Sequence, residues 1–209
     1  MNGNKTSVLI ADDHSIVRMG LATLIDIEGD LTLAGQAANG RMAVDKALDL
    51  KPDVVVMDLM MPILDGADAT AEISAKLPDT RVVLFTTFPT SDLIARAIDS
   101  GAKGVIFKSA ADTELVKAIR SVAAGETYIS SDVARLLASD PPIEPLTPRQ
   151  QDILRSIVRG LSNKDIAVEL GITPTAVREH TIALFQKLKA ANRTEATAIA
   201  LRKHLLAES

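Results

Sequence analysis

The 209-residue chain has no cysteine, and no apolar run in it approaches the roughly 20 residues needed to cross a bilayer. The first absence excludes disulfides and thiolate zinc sites, and the three histidines, His14, His180 and His204, are too scattered for a zinc cluster. The second, with a polar start MNGNKTS that leads straight into an apolar segment, sets the expectation of a cytoplasmic protein in a reducing compartment with no membrane partner. Internal repeats and low-complexity runs are also missing, and the two ends of the chain do not resemble one another. They differ in charge as well. Residues 1–145 hold 13 Lys and Arg against 21 Asp and Glu, whereas 146–209 hold 10 against 6, so an acidic front precedes a basic tail. That asymmetry is a weak sign that the tail meets nucleic acid.

What is present centres on Val54-Val55-Val56-Met57-Asp58. A strand buried on both faces reads as such an apolar run, and a carboxylate can follow only where the backbone leaves the core. Three further runs end the same way: Val8 to Ala11 hands over to Asp12-Asp13, Val82 to Phe85 to Thr86, and Gly104 to Phe107 to Lys108. Open parallel sheets bind ligands beyond the carboxyl ends of their strands, so four endings of complementary chemistry point to a site.

Between these runs lie segments of helical spacing. Ile16 to Ile25 follows the first strand, and Leu31 to Ala37 reads as a short second strand. Met42 to Leu50 ends before Pro52, Ala67 to Leu77 before Pro78, and Leu93 to Ile98 before Gly101; a last helix covers Leu115 to Ala123. Strands alternating with helices imply an α/β doubly wound sheet, here five-stranded, parallel, flavodoxin-like and of order 2-1-3-4-5. Its domain is bounded at residues 1–124. Residues 125–145 contain the three prolines of SDPPIEP and a short helical patch at Ala134 to Leu137, which reads as a linker. Residues 146–209 read as a small all-α domain. Thr147-Pro148-Arg149-Gln150 offers a capping box with proline at the first helical position, Ser162-Asn163-Lys164-Asp165 starts a second helix in the same way, and Gly171 ends it. Thr173-Pro174 caps a third helix after a very short turn, and Asn192 or Thr194 opens a fourth. Two helices across a tight glycine turn are the sequence form of helix-turn-helix.

The strand order brings Asp12, Asp13 and Asp58 together. Like charges that close need a cation between them, and Mg²⁺ suits oxygen ligands while leaving room for a phosphoryl group. Lys108 and Thr86 could then hold phosphoryl oxygens while Asp58 acts as nucleophile. Alone, an Asp at a strand end is more often a turn or cap residue, the reading that fits Asp65 and Asp79; His14 reads as the exposed start of the first helix.

On these residues, 7–124 resembles a receiver domain of a two-component response regulator: Asp12-Asp13, Asp58 with Pro62 and Gly66, Thr86, and Lys108 after Gly101-Ala102-Lys103-Gly104 all match. The resemblance implies transfer of a phosphoryl group to Asp58 from a sensor histidine kinase. It also implies Mg²⁺ held by Asp13, Asp58 and the Met60 carbonyl, and by Asp12 through water. One position departs from the pattern, because Val105 stands where the family carries the aromatic ring that moves with the threonine; Phe88 and Phe107 are the nearby rings.

The tail, through Leu146-Thr147-Pro148-Arg149, Gly160 to Lys164, Val177 to His180, Lys187-Leu188 and Asn192-Arg193-Thr194, is similar to the LuxR-type helix-turn-helix of the NarL/FixJ subfamily. This implies that the helix from Pro174 to about Lys189 enters the major groove of promoter DNA. Lys164, Thr173, Thr175, Arg178, Glu179, His180 and Lys187 are the expected DNA-contacting residues, and Ala196, Ile199 and Ala200 of the last helix form an expected homodimer contact. The whole reads as a transcription factor phosphorylated on Asp58, active as a homodimer and not an enzyme. A phosphatase would need a general acid where Met60 stands. The alternative, motivated by Val105, is a receiver-linked regulator controlled by dimerisation or a ligand.

Overall fold

The computed structural model of the protein describes residues 5–87, 89–203 and 205–206 and divides into two compact units between Asp140 and Pro141. In the first, the strands β1 (Thr6–Ala11), β2 (Leu31–Ala37), β3 (Val54–Met57), β4 (Arg81–Thr86), β5 (Gly104–Phe107) and β6 (Tyr128–Ile129) form one sheet of order β2-β1-β3-β4-β5-β6, with every neighbouring pair parallel. The helices α1 (Ser15–Ile27), α2 (Gly40–Leu50), α3 (Gly66–Lys76), α4 (Ser91–Asp99), α5 (Asp112–Ala123) and α6 (Ser131–Ser139) lie between and after the strands.

Because side chains alternate across a strand, each apolar run feeds both faces of the sheet. Leu9, Val55, Met57, Leu84 and Val105 meet Val44, Ile73, Ile94 and Val133, which puts α2, α3, α4 and α6 on one face. Val8, Ile10, Val56, Val83 and Ile106 meet Leu21, Ile25, Leu115 and Ile119 of α1 and α5 on the other. Burial on both sides is why these strands read as unbroken apolar runs.

The five-stranded expectation is corrected by β6, and the expected linker at 125–145 with it. Tyr128 and Ile129 pair with Gly104 and Val105, and the Tyr128 amide donates to the Lys103 carbonyl at 2.8 Å. Next, α6 presses fully buried Val133 and half-buried Leu136 and Leu137 into the core shared with α4. Burying an aliphatic side chain of this kind stabilises by roughly 1.5–3 kcal/mol, enough to order a nine-residue helix with a Ser130 cap. The proline-rich connector begins only after Asp140.

The second unit consists of α7 (Pro148–Val158), α8 (Asn163–Leu170), α9 (Pro174–Leu188) and α10 (Arg193–Arg202) around a core that includes Ile153, Leu154, Ile166, Val177, Leu184 and Leu188. Both expected capping boxes form, Thr147 with Gln150 and Ser162 with Asp165, and Asn192 caps α10. Gly171 ends α8 at φ 63°, a left-handed conformation that costs a glycine nothing and turns the chain into Thr173, the N-cap of α9. Among the described residues no helix is long and apolar enough to cross a membrane.

Candidate functional site

The register of the sheet places Ala11 beside Met57 and Thr86 beside Phe107, so the residues that follow converge at one edge. Asp58 is fixed there through its backbone, since its amide donates to the Ala11 carbonyl at 2.7 Å. Asp12 and Asp58 are almost wholly buried, at 1% and 4% exposure. Lys108 Nζ lies between them, 2.5 Å from Asp12 Oδ2 and 2.7 Å from Asp58 Oδ2. Burial on its own would lower the Lys108 ammonium, but hydrogen bonds to Asp12 and Asp58 outweigh it and hold the lysine above its ordinary range.

The remaining oxygens are positioned by backbone. Asp58 Oδ1 accepts from the Leu59 amide at 2.7 Å, and Asp12 Oδ1 from the His14 amide at 2.8 Å. Asp13 is partly exposed and pairs with His14, whose Nδ1 lies 2.7 Å from Asp13 Oδ1. His14 stands at the N-cap position of α1 with an exposed side chain, as expected, while its ring also leans on the acids. One ligand atom from each of Asp12, Asp13, His14 and Asp58 lies within 4.8 Å of the others. Three carboxylates thus face one buried ammonium, an excess of negative charge that a divalent cation would offset, and carboxylate oxygens are the donors that Mg²⁺ prefers.

Thr86 completes this edge in an unusual state. Its side chain is buried at 1% exposure, and among the described residues its Oγ1 has no hydrogen-bond partner. A buried hydroxyl without a partner costs about 1–3 kcal/mol, and such groups merit a functional explanation. Lys108 is drawn to the same place by its amide, which donates to the Thr86 carbonyl at 2.8 Å.

The loop after Asp58 is held by close contact. A Cβ on Gly66 would stand 2.1 Å from the Asp58 carbonyl oxygen, so only glycine lets α3 start against the acid residue. Asp65 caps α3, accepting from Ala67 and Asp68, and takes two hydrogen bonds from Arg96 of α4 at 2.9 and 2.8 Å. Within the loop, exposed Ile63 has φ 73°, a region β-branched residues avoid, and the Met60 side chain is half exposed. Val105 is buried between the neighbours Leu84 and Ile129, and Phe107 is half-buried against the same core; Phe88 lies outside the described residues.

In the second unit, Thr175, Arg178, Glu179, Ile182 and Gln186 are exposed and repeat at helical spacing along α9, while Val177, Leu184 and Leu188 face the core. Lys164 is exposed in the first turn of α8. The Thr173 hydroxyl accepts from the Ala176 amide at 3.1 Å as a cap, and His180 is half-buried. Lys187 is drawn away from this face, because its Nζ donates to the Pro145 carbonyl at 2.8 Å. Sequence spacing does not reveal that contact across 42 residues.

The expected homodimer contact is corrected. Ala196, Ile199 and Ala200 are 0%, 9% and 1% exposed and belong to the core of their own unit, because so short a domain needs the inner side of α10 for itself. The exposed side of α10 carries Thr194, Ala198 and Leu201 instead.

Comparison with known proteins places the two units in named families. Residues 8–120 match the response regulator receiver domain, and residues 144–200 match the bacterial regulatory proteins of the luxR family. The transcriptional regulatory protein LiaR of Bacillus subtilis (strain 168) is 38% identical over 207 residues, which cover 95% of this chain and 98% of LiaR. A crystal structure of the response regulator ChrA of a heme-sensing two-component system is 31% identical with a TM-score of 0.58, covering 98% of this chain and 100% of that one. The two-component response regulator RcsB in complex with DNA shares the fold at a TM-score of 0.69 and 23% identity, over 96% of this chain and 99% of that one.

Proposed function

Since the chain belongs to the response regulators that join a receiver domain to a LuxR-type DNA-binding domain, we propose that it is a transcription factor whose receiver is phosphorylated on Asp58. The observation that carries this reading is the Lys108 ammonium set between Asp12 and Asp58 at 2.5 and 2.7 Å, with a Thr86 hydroxyl at the same sheet edge that has no partner among the described residues. Each Asp58 oxygen accepts one hydrogen bond, from Leu59 or from Lys108, and so retains a lone pair for phosphorus. In the step proposed, an Asp58 oxygen forms a bond to the phosphorus of a phosphohistidine on a sensor kinase as the phosphorus–nitrogen bond breaks, and the electron pair leaves with the imidazole. Lys108 then exchanges a carboxylate partner for a phosphoryl oxygen, and Thr86 gains the acceptor it lacks.

Mg²⁺, held by Asp12, Asp13, Asp58 and the Met60 carbonyl, would supply the charge neutralisation that the carboxylates cannot. The exposed face of α9, with Thr175, Arg178 and Glu179, enters the major groove, and Lys164 meets phosphate. Thr173 acts chiefly as the cap of that helix, His180 lines the backbone side, and Lys187 contributes only if its bond to Pro145 opens. A homodimer through Thr194, Ala198 and Leu201 would pair two such helices on half-sites about one DNA turn apart. Its place of action is the cytoplasm, where promoter and kinase output meet.

Incubation with acetyl phosphate and Mg²⁺, read by intact mass, is expected to add one phosphoryl group per chain, and none to Asp58→Asn. Absence of any adduct on the wild type would favour the second reading, regulation by dimerisation or a ligand. The fully buried aliphatic Val105, which provides no ring to move, is the observation on its side.

A further inference from the structure

The outer side of α9 is not the evenly basic surface that contact with phosphate alone would favour. At 3.6 residues per turn, Thr175, Ile182 and Gln186 fall on nearly one line along the helix, with Arg178 about 60° to one side of it and Glu179 about 40° to the other. All five are exposed. The line is centred on Ile182, which is 51% exposed and takes no part in the core of its unit; that core draws on Val177, Leu184 and Leu188, with Phe185 at its margin. Glu179 is the acid that stands apart. The other acids of α7 to α10 are each held: Asp152 by Arg155, Asp165 by Ser162, Glu169 by Arg159 and Glu195 by the Ala191 amide. Among the described residues no ion pair or side-chain hydrogen bond holds Glu179, or Arg178 beside it. Phosphates repel a carboxylate and gain nothing from an isoleucine, so both residues count against binding that is indifferent to sequence.

We infer that Glu179 and Ile182 set the base sequence this protein selects, Glu179 by taking a cytosine and Ile182 a thymine. The inference rests on the reading of α9 as the helix that enters the major groove. An ionised carboxylate only accepts hydrogen bonds. In that groove guanine offers acceptors, thymine an acceptor beside its methyl group, and adenine an amine next to the N7 acceptor. Cytosine presents an amine with no acceptor on the same base beside it, and so fits Glu179 best. Ile182 has neither donor nor acceptor, so against a polar edge it strips water and replaces nothing. The C5-methyl of thymine is the apolar feature of the groove that it matches. Arg178, on the other flank, suits guanine. From Arg178 to Ile182 is about 6 Å of helix axis, less than two steps of about 3.4 Å between base pairs, so the three contacts fall within about three successive pairs. Discrimination works largely by rejection, because a wrong base leaves a charge or an apolar side chain facing groups it cannot satisfy.

Selection of duplexes from a randomised pool by the full-length protein, with and without acetyl phosphate and Mg²⁺, tests this. The selected half-site is expected to hold a cytosine and a thymine within about three base pairs of each other. Each thymine of the selected duplex is then replaced in turn by deoxyuridine, which lacks only the methyl group. One such change in a half-site is expected to weaken wild-type binding about three- to fivefold, the scale of one buried methyl group, and to leave Ile182→Ala unaffected. Changing the cytosine pair is expected to cost the wild type about tenfold and Glu179→Ala less than about twofold. Glu179→Ala should also bind unselected DNA more tightly than the wild type, since it no longer repels phosphate. Both side chains are exposed, so urea unfolding of the two variants is expected to match the wild type. The inference is overturned if no deoxyuridine change affects the wild type, if Ile182→Ala feels the same change as strongly, or if Glu179→Ala still discriminates at the cytosine. With a sequence enriched, those results leave the reading of α9 standing. A pool from which no sequence is enriched removes that reading, and the inference with it.

Discussion

The acid pocket and the outer face of α9 are built on opposite terms. In the pocket, Asp12 and Asp58 are buried, Lys108 stands within 3 Å of each, and all three follow strand ends. On α9 they are exposed and free, and the helix is positioned by groups that take no part in the contact: the Thr173 cap, the Gly171 turn and the inward Val177 and Leu184. Charge inside the first unit is therefore part of its stability, whereas charge on the second is nearly independent of it.

That contrast can be broken by experiment. The largest expected effect is at Lys108. Its replacement by methionine leaves Asp12 and Asp58 buried without their counter-charge and should lower stability by about 3 kcal/mol near neutral pH, read by urea unfolding, with most of it restored when Asp58→Asn is added. The same lysine sets an alkaline limit. Its folded value is raised, so its contribution is fully present below the ordinary lysine value near 10.5 and fades only as pH climbs through the higher folded value; the methionine variant should lack that alkaline loss. Arg178→Ala should instead leave unfolding unchanged and weaken binding to a DNA fragment selected by the protein by roughly ten- to a hundredfold, as a base contact worth about 1–3 kcal/mol implies. A loss of stability there would erase the distinction.

Smaller effects sharpen it. Thr86→Val removes a buried hydroxyl that has no partner and should raise the stability of the unphosphorylated protein by about 1 kcal/mol, the reverse of what a polar-to-apolar change near a site usually suggests. Ile63→Gly should add about 1 kcal/mol by releasing a β-branched residue from a left-handed backbone. Smallest is the exposed pair at Glu72. Hydrogen bonds from Arg41 and Lys76 hold its carboxyl at about 2, against an ordinary 4.5, so its contribution is present above 4.5 and is lost as pH falls from there towards 2. Acid titration of Arg41→Ala should show a slightly shallower fall.

The sheet, its strand order and the convergence of Asp12, Asp13, Asp58, Thr86 and Lys108 are legible in sequence because parallel strands end on one edge and each ending is marked by a polar residue after an apolar run. The helix caps of the second unit are legible because capping chemistry is local. What escapes is whatever depends on a distant partner. A two-residue strand such as β6 is too short to show alternation, and three prolines downstream mask the packing value of Val133. An apolar stripe on α10 looks the same whether its cover is a second copy or α7, and Lys187 looks free until the Pro145 carbonyl is found beside it.

The sixth strand has a practical consequence for anyone who wishes to dissect this protein. Without residues 125–140, β5 would become the margin of the sheet, its amides and carbonyls open and its Val105 stripped of Ile129. Such an edge recruits other chains. A fragment cut after α5 is therefore set to self-associate, and the smallest well-behaved piece of the first unit runs through Asp140.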